Sequence, residues 1–267
     1  MGRQSYYRSL GNGYFESTAL AEGAWDITAQ HMAAACGLLT RELERYSAAS
    51  DADQPAGAPK RFARLCFEIL GKIHAGRFRI TVETLRAGRT IELLRATMIH
   101  GEQAVLSVRA WRLMTSDATP IAGIEDPPIP PPDQCEPYPE MRKWPGGYMR
   151  ATTYRRAPGA RPGCGVVWMT TDVDVLAGEK PSSLAKALSM ADTTNGVMPR
   201  GDKDQWMFPN VDFTVHLYRL PQGEWIGFDV RQSVGADGIG VTSTVLHDLD
   251  GPFGRAEQIL TVRDMRS

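Results

Sequence analysis

WMFPNVDFTVHLYRLPQGEWIGFDVRQSVGADGIGVTSTVLHDLDGPFGRAEQILTVRD, residues 206–264, is the stretch whose reading decides the fold. Val211, Phe213, Val215 and Leu217 fall on one face of its first segment, with Asn210, Asp212, Thr214, His216 and Tyr218 on the other. That alternation is the period-two pattern of a half-buried strand. Leu220-Pro221-Gln222-Gly223 then supplies a turn, Trp225 to Ser233 a second strand, and Gly235-Ala236-Asp237-Gly238 a second turn. A third strand from Ile239 to Leu246 and a turn at Asp248-Leu249-Asp250-Gly251-Pro252 lead into a fourth. The pattern predicts a four-stranded antiparallel meander.

Residues 61–114 break into the same four pieces in the same order, with turns at His74-Ala75-Gly76, Ala87-Gly88 and His100-Gly101. Setting Gly76 against Gly223 and Phe78 against Trp225 brings Gly88 against Gly235 with small gaps elsewhere. A helical segment precedes each copy, so the chain reads as a duplicated unit, helix plus meander. The expected boundaries are an N-terminal repeat over 1–117, a Pro-rich linker over 118–162 and a C-terminal repeat over 163–267.

At 267 residues the chain is long enough for one large domain or two small ones, and 42% hydrophobic with 23% charged is an ordinary globular composition. A net charge of −1 provides no basic field for a nucleic acid or an anionic membrane. No apolar run approaches the ~20 residues of a membrane span and the N-terminus lacks a signal-peptide core, so the expected location is the cytoplasm. Cys36, Cys66, Cys135 and Cys164 stand far apart, without metal-ligand spacing, and read as free thiols.

From Ile27 to Tyr46, Met32, Cys36, Leu39, Leu43 and Tyr46 recur at steps of 4, 3, 4 and 3, one stripe of an amphipathic helix, with Asp26 placed to cap it. Residues 47–59 read as a loop. Nine of the 18 prolines lie between Pro120 and Pro145, which predicts an extended connection. Gly165 to Val175 reads as one strand. Pro181-Ser182-Ser183 opens a second helix, capped by Ser182 or Ser183 and stopped near Gly196. On it Leu184, Leu188 and Asp192 share one face, which sets a carboxylate on the buried stripe. A capped or salt-bridged acid at a helix end explains that pattern; so does a desolvated general base.

A long helix wrapped by an antiparallel sheet, twice in one chain, is the α+β double hot-dog arrangement. Val82-Glu83-Thr84-Leu85-Arg86-Ala87-Gly88-Arg89 resembles the segment that closes the third strand of the first repeat in type II acyl-CoA thioesterases, and Phe67-Glu68-Ile69-Leu70 stands where those enzymes have an aromatic-Leu strand. Met190-Ala191-Asp192 resembles their helical Asp motif, Asn210-Val211-Asp212-Phe213 their Thr-x-Asp-His strand, and Glu257-Gln258 the Gln of their last strand. The set runs in order over nearly the whole chain.

The resemblance implies hydrolysis of an acyl-CoA by a positioned water, without a covalent intermediate, metal or organic cofactor. Asp192 would be the base, Gln258 would hold the water, and Asn210 would stand where the family has a hydroxyl residue. Gln258 is in phase with Leu260 and Val262 and should point inward. Asn210 is in phase with Asp212 and His216 on the more polar face, although a bulge at Pro209 could re-aim it. The family's Gly-Gly at the first helix is replaced by Gln30-His31-Met32, which leaves open whether helix amides polarise the carbonyl. His31 is expected at the pocket mouth or near Trp25. Arg86, Arg89 and Arg95 could meet the phosphates of coenzyme A, or be solvated. The acyl tunnel is expected between the repeats, lined by both helices, and self-association is expected to cover sheet edges.

Two other readings stay open. Asn210 and the altered first helix suit a non-catalytic acyl-binding protein. Asp26 and His31, five apart, resemble the spacing of hot-dog enoyl-CoA hydratases.

Overall fold

The computed structural model describes residues 3–52 and 59–266. The first repeat comprises β1 (Ser5–Gly11), β2 (Tyr14–Ser17), α1 (Met32–Ala52), β3 (Lys60–Ile69), β4 (Arg77–Arg86), β5 (Ile91–His100) and β6 (Gln103–Met114). Then follow β7 (Glu136–Pro137), α2 (Gly147–Arg150), β8 (Thr152–Arg156), β9 (Cys164–Thr171), β10 (Asp174–Leu176), α3 (Ser183–Ala191) and α4 (Thr194–Val197). The last segments are β11 (Trp206–Met207), β12 (Asp212–Leu217), β13 (Ile226–Val234), β14 (Ile239–Asp248), β15 (Gly251–Thr261) and β16 (Arg263–Asp264).

Among the described residues, fourteen strands form one sheet in the order β10-β1-β2-β4-β5-β6-β3-β12-β15-β14-β13-β9-β8-β7. From the β3/β12 seam outward the four long strands of each repeat follow in the same order, β3-β6-β5-β4 on one side and β12-β15-β14-β13 on the other. At the seam Phe67 faces Phe213 in an antiparallel pair, the rings stacked at 5.8 Å and both fully buried.

The sheet corrects the expected meander. Three strands of each repeat run consecutively, but the first of the four pairs with the last: β3 with β6 and β12 with β15. Alternation determines which side chains face inward and leaves the choice of neighbour open, because either pairing buries the same face. The Leu220-to-Gly223 segment is therefore a crossing, not a hairpin turn. Arg219 anchors it, its guanidinium gripping the Asp248 carboxylate and the carbonyls of Gly251 and Pro252 at the β14–β15 turn.

Helix α1 begins later and ends later than its apolar stripe suggests. Asp26 accepts from the Thr28 amide and hydroxyl and pairs with Lys72 at 2.6 Å, so it closes a local turn instead of capping the helix. The cap is His31, whose Nδ1 accepts the Ala33 N–H at 3.2 Å. At the other end the helix continues through Ser47–Ala52, where a loop is expected from composition; the rest of that segment, 53–58, lies outside the described residues.

Helices α1 and α3 pack antiparallel inside the curled sheet. Met32 lies near the C-terminal end of α3, and Ser182, which caps the α3 N-terminus, binds Glu44 on α1. They meet closely: a Cβ on Gly37 would stand 2.6 Å from Ser189 Cβ and 3.0 Å from the Ala185 carbonyl. This contact brings the two helices together at Gly37, within the seam where a tunnel is expected.

The Pro-rich stretch is more ordered than its composition suggests. Thr152–Arg156 enters the sheet beside β9, and the proline run crosses the outer face, where the Trp168 indole donates to the Pro130 carbonyl at 2.7 Å and Ile129 packs against it. The predicted strand from Gly165 to Val175 is two strands, and β10 pairs in parallel with β1 of the other repeat.

Candidate active site

Asp192 lies at the C-terminal cap of α3, where Asp192 and Thr193 take ψ near 0° (−6° and −4°) and the Thr193 amide reaches back to the Met190 carbonyl. This tightened turn ends α3 and lets α4 start in a new direction, so Asp192 stays on the buried stripe with Leu184 and Leu188. Its side chain is 3% exposed. Burial pushes its carboxyl pKa up to about 7, against the lowering effect of hydrogen bonds from Asn210 and Gln258, with the nearby Asp212 charge adding to the rise.

Asn210 reaches Asp192 because of a bulge. Thr214 faces Glu257 and Asn210 faces Leu260, so one strand advances four residues while its partner advances three. The extra residue reverses the side-chain phase: Val211, expected inside, is 43% exposed, and Asn210, expected on the polar face, turns inward. Asp212 completes the bulge by accepting the Ile259 N–H on Oδ1 at 2.7 Å. The Asn210 amide donates to Asp192 Oδ1 at 2.7 Å and to the Asp212 carbonyl at 2.9 Å.

Gln258 comes from the centre of β15, 1% exposed, and points inward as its strand phase predicts. Its amide nitrogen donates to Asp192 Oδ1 at 2.8 Å and to the Asp192 carbonyl at 3.0 Å. The Thr194 hydroxyl donates to Gln258 Oε1 at 2.8 Å, which fixes the orientation of that amide. Sequence reasoning passes over Thr194 and over Asn195, whose side-chain nitrogen reaches Asn210 Oδ1 at 3.4 Å. A signal is available for both, since they follow the helical Asp within three residues.

Two amides therefore pin Oδ1 of Asp192, while Oδ2 accepts no hydrogen bond among the described residues. Asp192, Asn195 and Asn210 line a cleft of about 210 Å³ with Gln30, His31 and Met32 from the start of α1. A smaller apolar pocket adjoins it, lined by Trp25, Met141, Trp144 and Met149, with His31 common to both. His31 is partly buried, stacks on Tyr148 with ring centroids 3.9 Å apart, and has its pKa lowered by desolvation to about 3.

The structure does not bring Arg86 and Arg89 to this site. β4 starts beside the α1 N-terminus, where His74 bridges Ala29, and its ten residues run about 33 Å away from it. At the far end Tyr46 of α1 meets Thr84, Arg86 donates to the Ile91 carbonyl across the turn, and Arg89 is exposed. Arg95 pairs with Glu83. Among the described residues no three His, Cys, Asp or Glu side chains are grouped to hold a metal ion, and no helix is long and apolar enough to cross a membrane.

A family model described as the acyl-CoA thioesterase N-terminal domain matches residues 21–113, and one described as the acyl-CoA thioesterase C-terminal domain matches residues 132–262. No curated protein is significantly similar to the chain. Among solved structures, a hot-dog-fold protein of unknown function from Alicyclobacillus acidocaldarius is 15% identical, with a TM-score of 0.72 over 96% of this chain and 95% of its own. An acyl-CoA thioesterase II from Mycobacterium marinum is likewise 15% identical, with a TM-score of 0.66 over 97% of this chain and 96% of its own. At such identities the likeness establishes the double hot-dog fold. The tandem match of both domain models, over most of the sequence, shows that the chain belongs to the acyl-CoA thioesterase family.

Proposed function

We propose that the chain hydrolyses acyl-CoA thioesters to a free acid and coenzyme A, with Asp192 as general base. The observation that carries this reading is a buried carboxylate, its pKa near 7, held at Oδ1 by Asn210 and Gln258 and facing a cleft with its other oxygen. A base poised near neutral pH suits abstraction of a proton from water.

Water in the cleft donates one hydrogen to Asp192 Oδ2 while its oxygen adds to the thioester carbonyl carbon. The tetrahedral adduct then collapses, the C–S bond breaks, and the proton on Asp192 passes to the departing thiolate. The reaction balances with water as the one co-reactant. Gln258 and Asn210 hold the carboxylate, and Thr194 holds Gln258. The hydratase alternative needs Asp26 and His31 to share a water, whereas the Asp26 carboxylate is engaged by Lys72 and Thr28.

The test is release of free thiol from acyl-CoAs, short to long and saturated to aryl, followed with a thiol reagent against an enzyme-only blank, since four cysteines can also react. Turnover that falls at least tenfold in Asp192→Asn supports the reading. Folded protein that releases no thiol across the panel overturns it, and crotonyl-CoA would then be tested for water addition.

A further inference from the structure

His31 occupies the position at which the α1 N-terminus meets the cleft, and its hydrogen bonds fix more than its place. The Ala33 N–H points at Nδ1 at 3.2 Å, so Nδ1 acts as an acceptor and carries no proton. A neutral imidazole in that state must carry its proton on Nε2. Stacking on Tyr148, at an interplanar angle of 16°, holds the ring's orientation. The Tyr148 hydroxyl is in turn anchored on the Ser189 carbonyl at 2.7 Å. Nε2 has no partner among the described residues, and the ring lines both the cleft that holds Asp192 and the apolar pocket beside it.

Three effects keep this ring neutral. It is partly desolvated, it sits at the positive end of a 21-residue helix, and the Ala33 N–H occupies the nitrogen that would have to be protonated. It therefore cannot serve as a base near neutral pH without losing its cap. What it offers the cleft is a hydrogen-bond donor. The ring also consumes a backbone amide that a substrate carbonyl could otherwise use, and passes donor capacity on through Nε2. A neutral imidazole at a helix N-terminus is an effective electrophile toward a substrate carbonyl.

We propose that His31 donates its Nε2–H to the thioester carbonyl oxygen as water attacks, stabilising the oxyanion of the tetrahedral adduct. The proposal rests on the thioesterase reading above. It assigns the base and the oxyanion donor to one cleft, Asp192 at the end of α3 and His31 at the start of α1.

The two variants that separate capping from donation are His31→Asn and His31→Gln. Asn places an oxygen near Nδ1 and caps helices well, but lacks a donor at the Nε2 position; Gln reaches that position with an N–H. His31→Asn should lower kcat on the order of 10²-fold. KM should stay within about threefold, and the acid limb of the pH profile should stay where wild type has it. His31→Gln should retain clearly more kcat than His31→Asn. Wild-type kcat in folded His31→Asn, or loss of the acid limb, overturns the proposal. Should His31→Asn fail to fold, nitrogen NMR of the five histidines in the wild-type chain decides. A His31 signal protonated on Nε2 alone between pH 5 and 8 supports donation; an Nδ1-protonated ring or an imidazolium overturns it. Wild type without turnover would remove the thioesterase reading itself, whereas wild-type turnover with an undiminished His31→Asn removes only the role of His31.

Discussion

Replacing Asp192 by Asn should abolish most of the activity and at the same time make the protein more heat-stable at alkaline pH. The substitution is nearly isosteric: the oxygen of the new amide can still accept from Asn210 and Gln258, and its nitrogen takes the place of the carboxylate oxygen that has no hydrogen bond. The carboxyl pKa is raised from 3.8 to about 7 in the folded state. Because the folded pKa lies above the unfolded one, the native protein holds this proton more tightly. The resulting stability is full below about pH 4 and lost as pH rises through 7. A rise of about three units corresponds to roughly 4 kcal/mol at most. Water reaching the cleft reduces this to about 2 kcal/mol, or about 4–8 °C in Tm for a chain of this size. Thermal unfolding of both proteins at pH 5 and pH 8.5 checks it. The Asp192→Asn variant should unfold several degrees higher than wild type at pH 8.5 and within about 2 °C of it at pH 5, while the wild-type rate falls below pH 7 as the base is protonated. Equal melting temperatures at pH 8.5, or wild-type turnover in the variant, would refute the argument that a desolvated carboxylate is the base.

Gln258→Glu sets a second carboxylate against Asp192 and should move the acid limb of the rate profile above pH 7, with a loss of at least tenfold in kcat/KM at pH 7; an unshifted limb would take Gln258 out of contact with the base. Gly37→Ala inserts a methyl 2.6 Å from Ser189 Cβ, which should cost about 1–2 kcal/mol net of the helix propensity gained. A variant as stable as wild type in urea would show that the helices separate freely. Arg86→Ala and Arg89→Ala should leave KM for acyl-CoA within about twofold, since they stand at the far end of β4; a tenfold rise would put the coenzyme A headgroup at that turn.

The parts legible in the sequence are those set by side-chain period. Phe213, Val215 and Leu217 are buried as their alternation requires, and Leu184, Leu188 and Asp192 share the buried face that their spacing gives. Partner choice is not legible: β12 lies against β15 and β3, and nothing in an alternating pattern distinguishes that from a hairpin with β13. Local phase misleads at one point, Asn210, because a one-residue bulge has no compositional mark beyond a nearby proline. The start of the first helix misleads because Asp26 is a good cap by type, while the residue that caps, His31, is an uncommon one whose role needs the fold around Tyr148 to hold its ring. Arg86 and Arg89 are suggested by charge alone, and charge says nothing of which end of a strand faces the cleft.

A duplicated fold with two antiparallel helices has two comparable ends, and their chemistry differs in a way that selects one. At one end Ser182 caps α3 and binds Glu44, and Arg41 bridges Glu42 and Glu179. The Arg41 guanidinium holds the Glu179 carboxyl below its usual range, whereas burial raises that of Glu44 against the Ser182 hydroxyl. At the other end a neutral imidazole caps α1, and the nearby carboxylate is buried, held by neutral amides and given no cation among the described residues. Amides orient a carboxylate without neutralising it, so the cost of burial stays in its pKa, where an arginine would have removed it. The bulge at Asn210 and the tightened turn at Asp192 both serve that arrangement, one aiming an amide inward and the other stopping a helix with its acid still in the core. Local departures from regular structure on both elements converge on one side chain, and an explanation of Asp192 as a structural cap accounts for neither the amide partners nor the oxygen left facing the cleft.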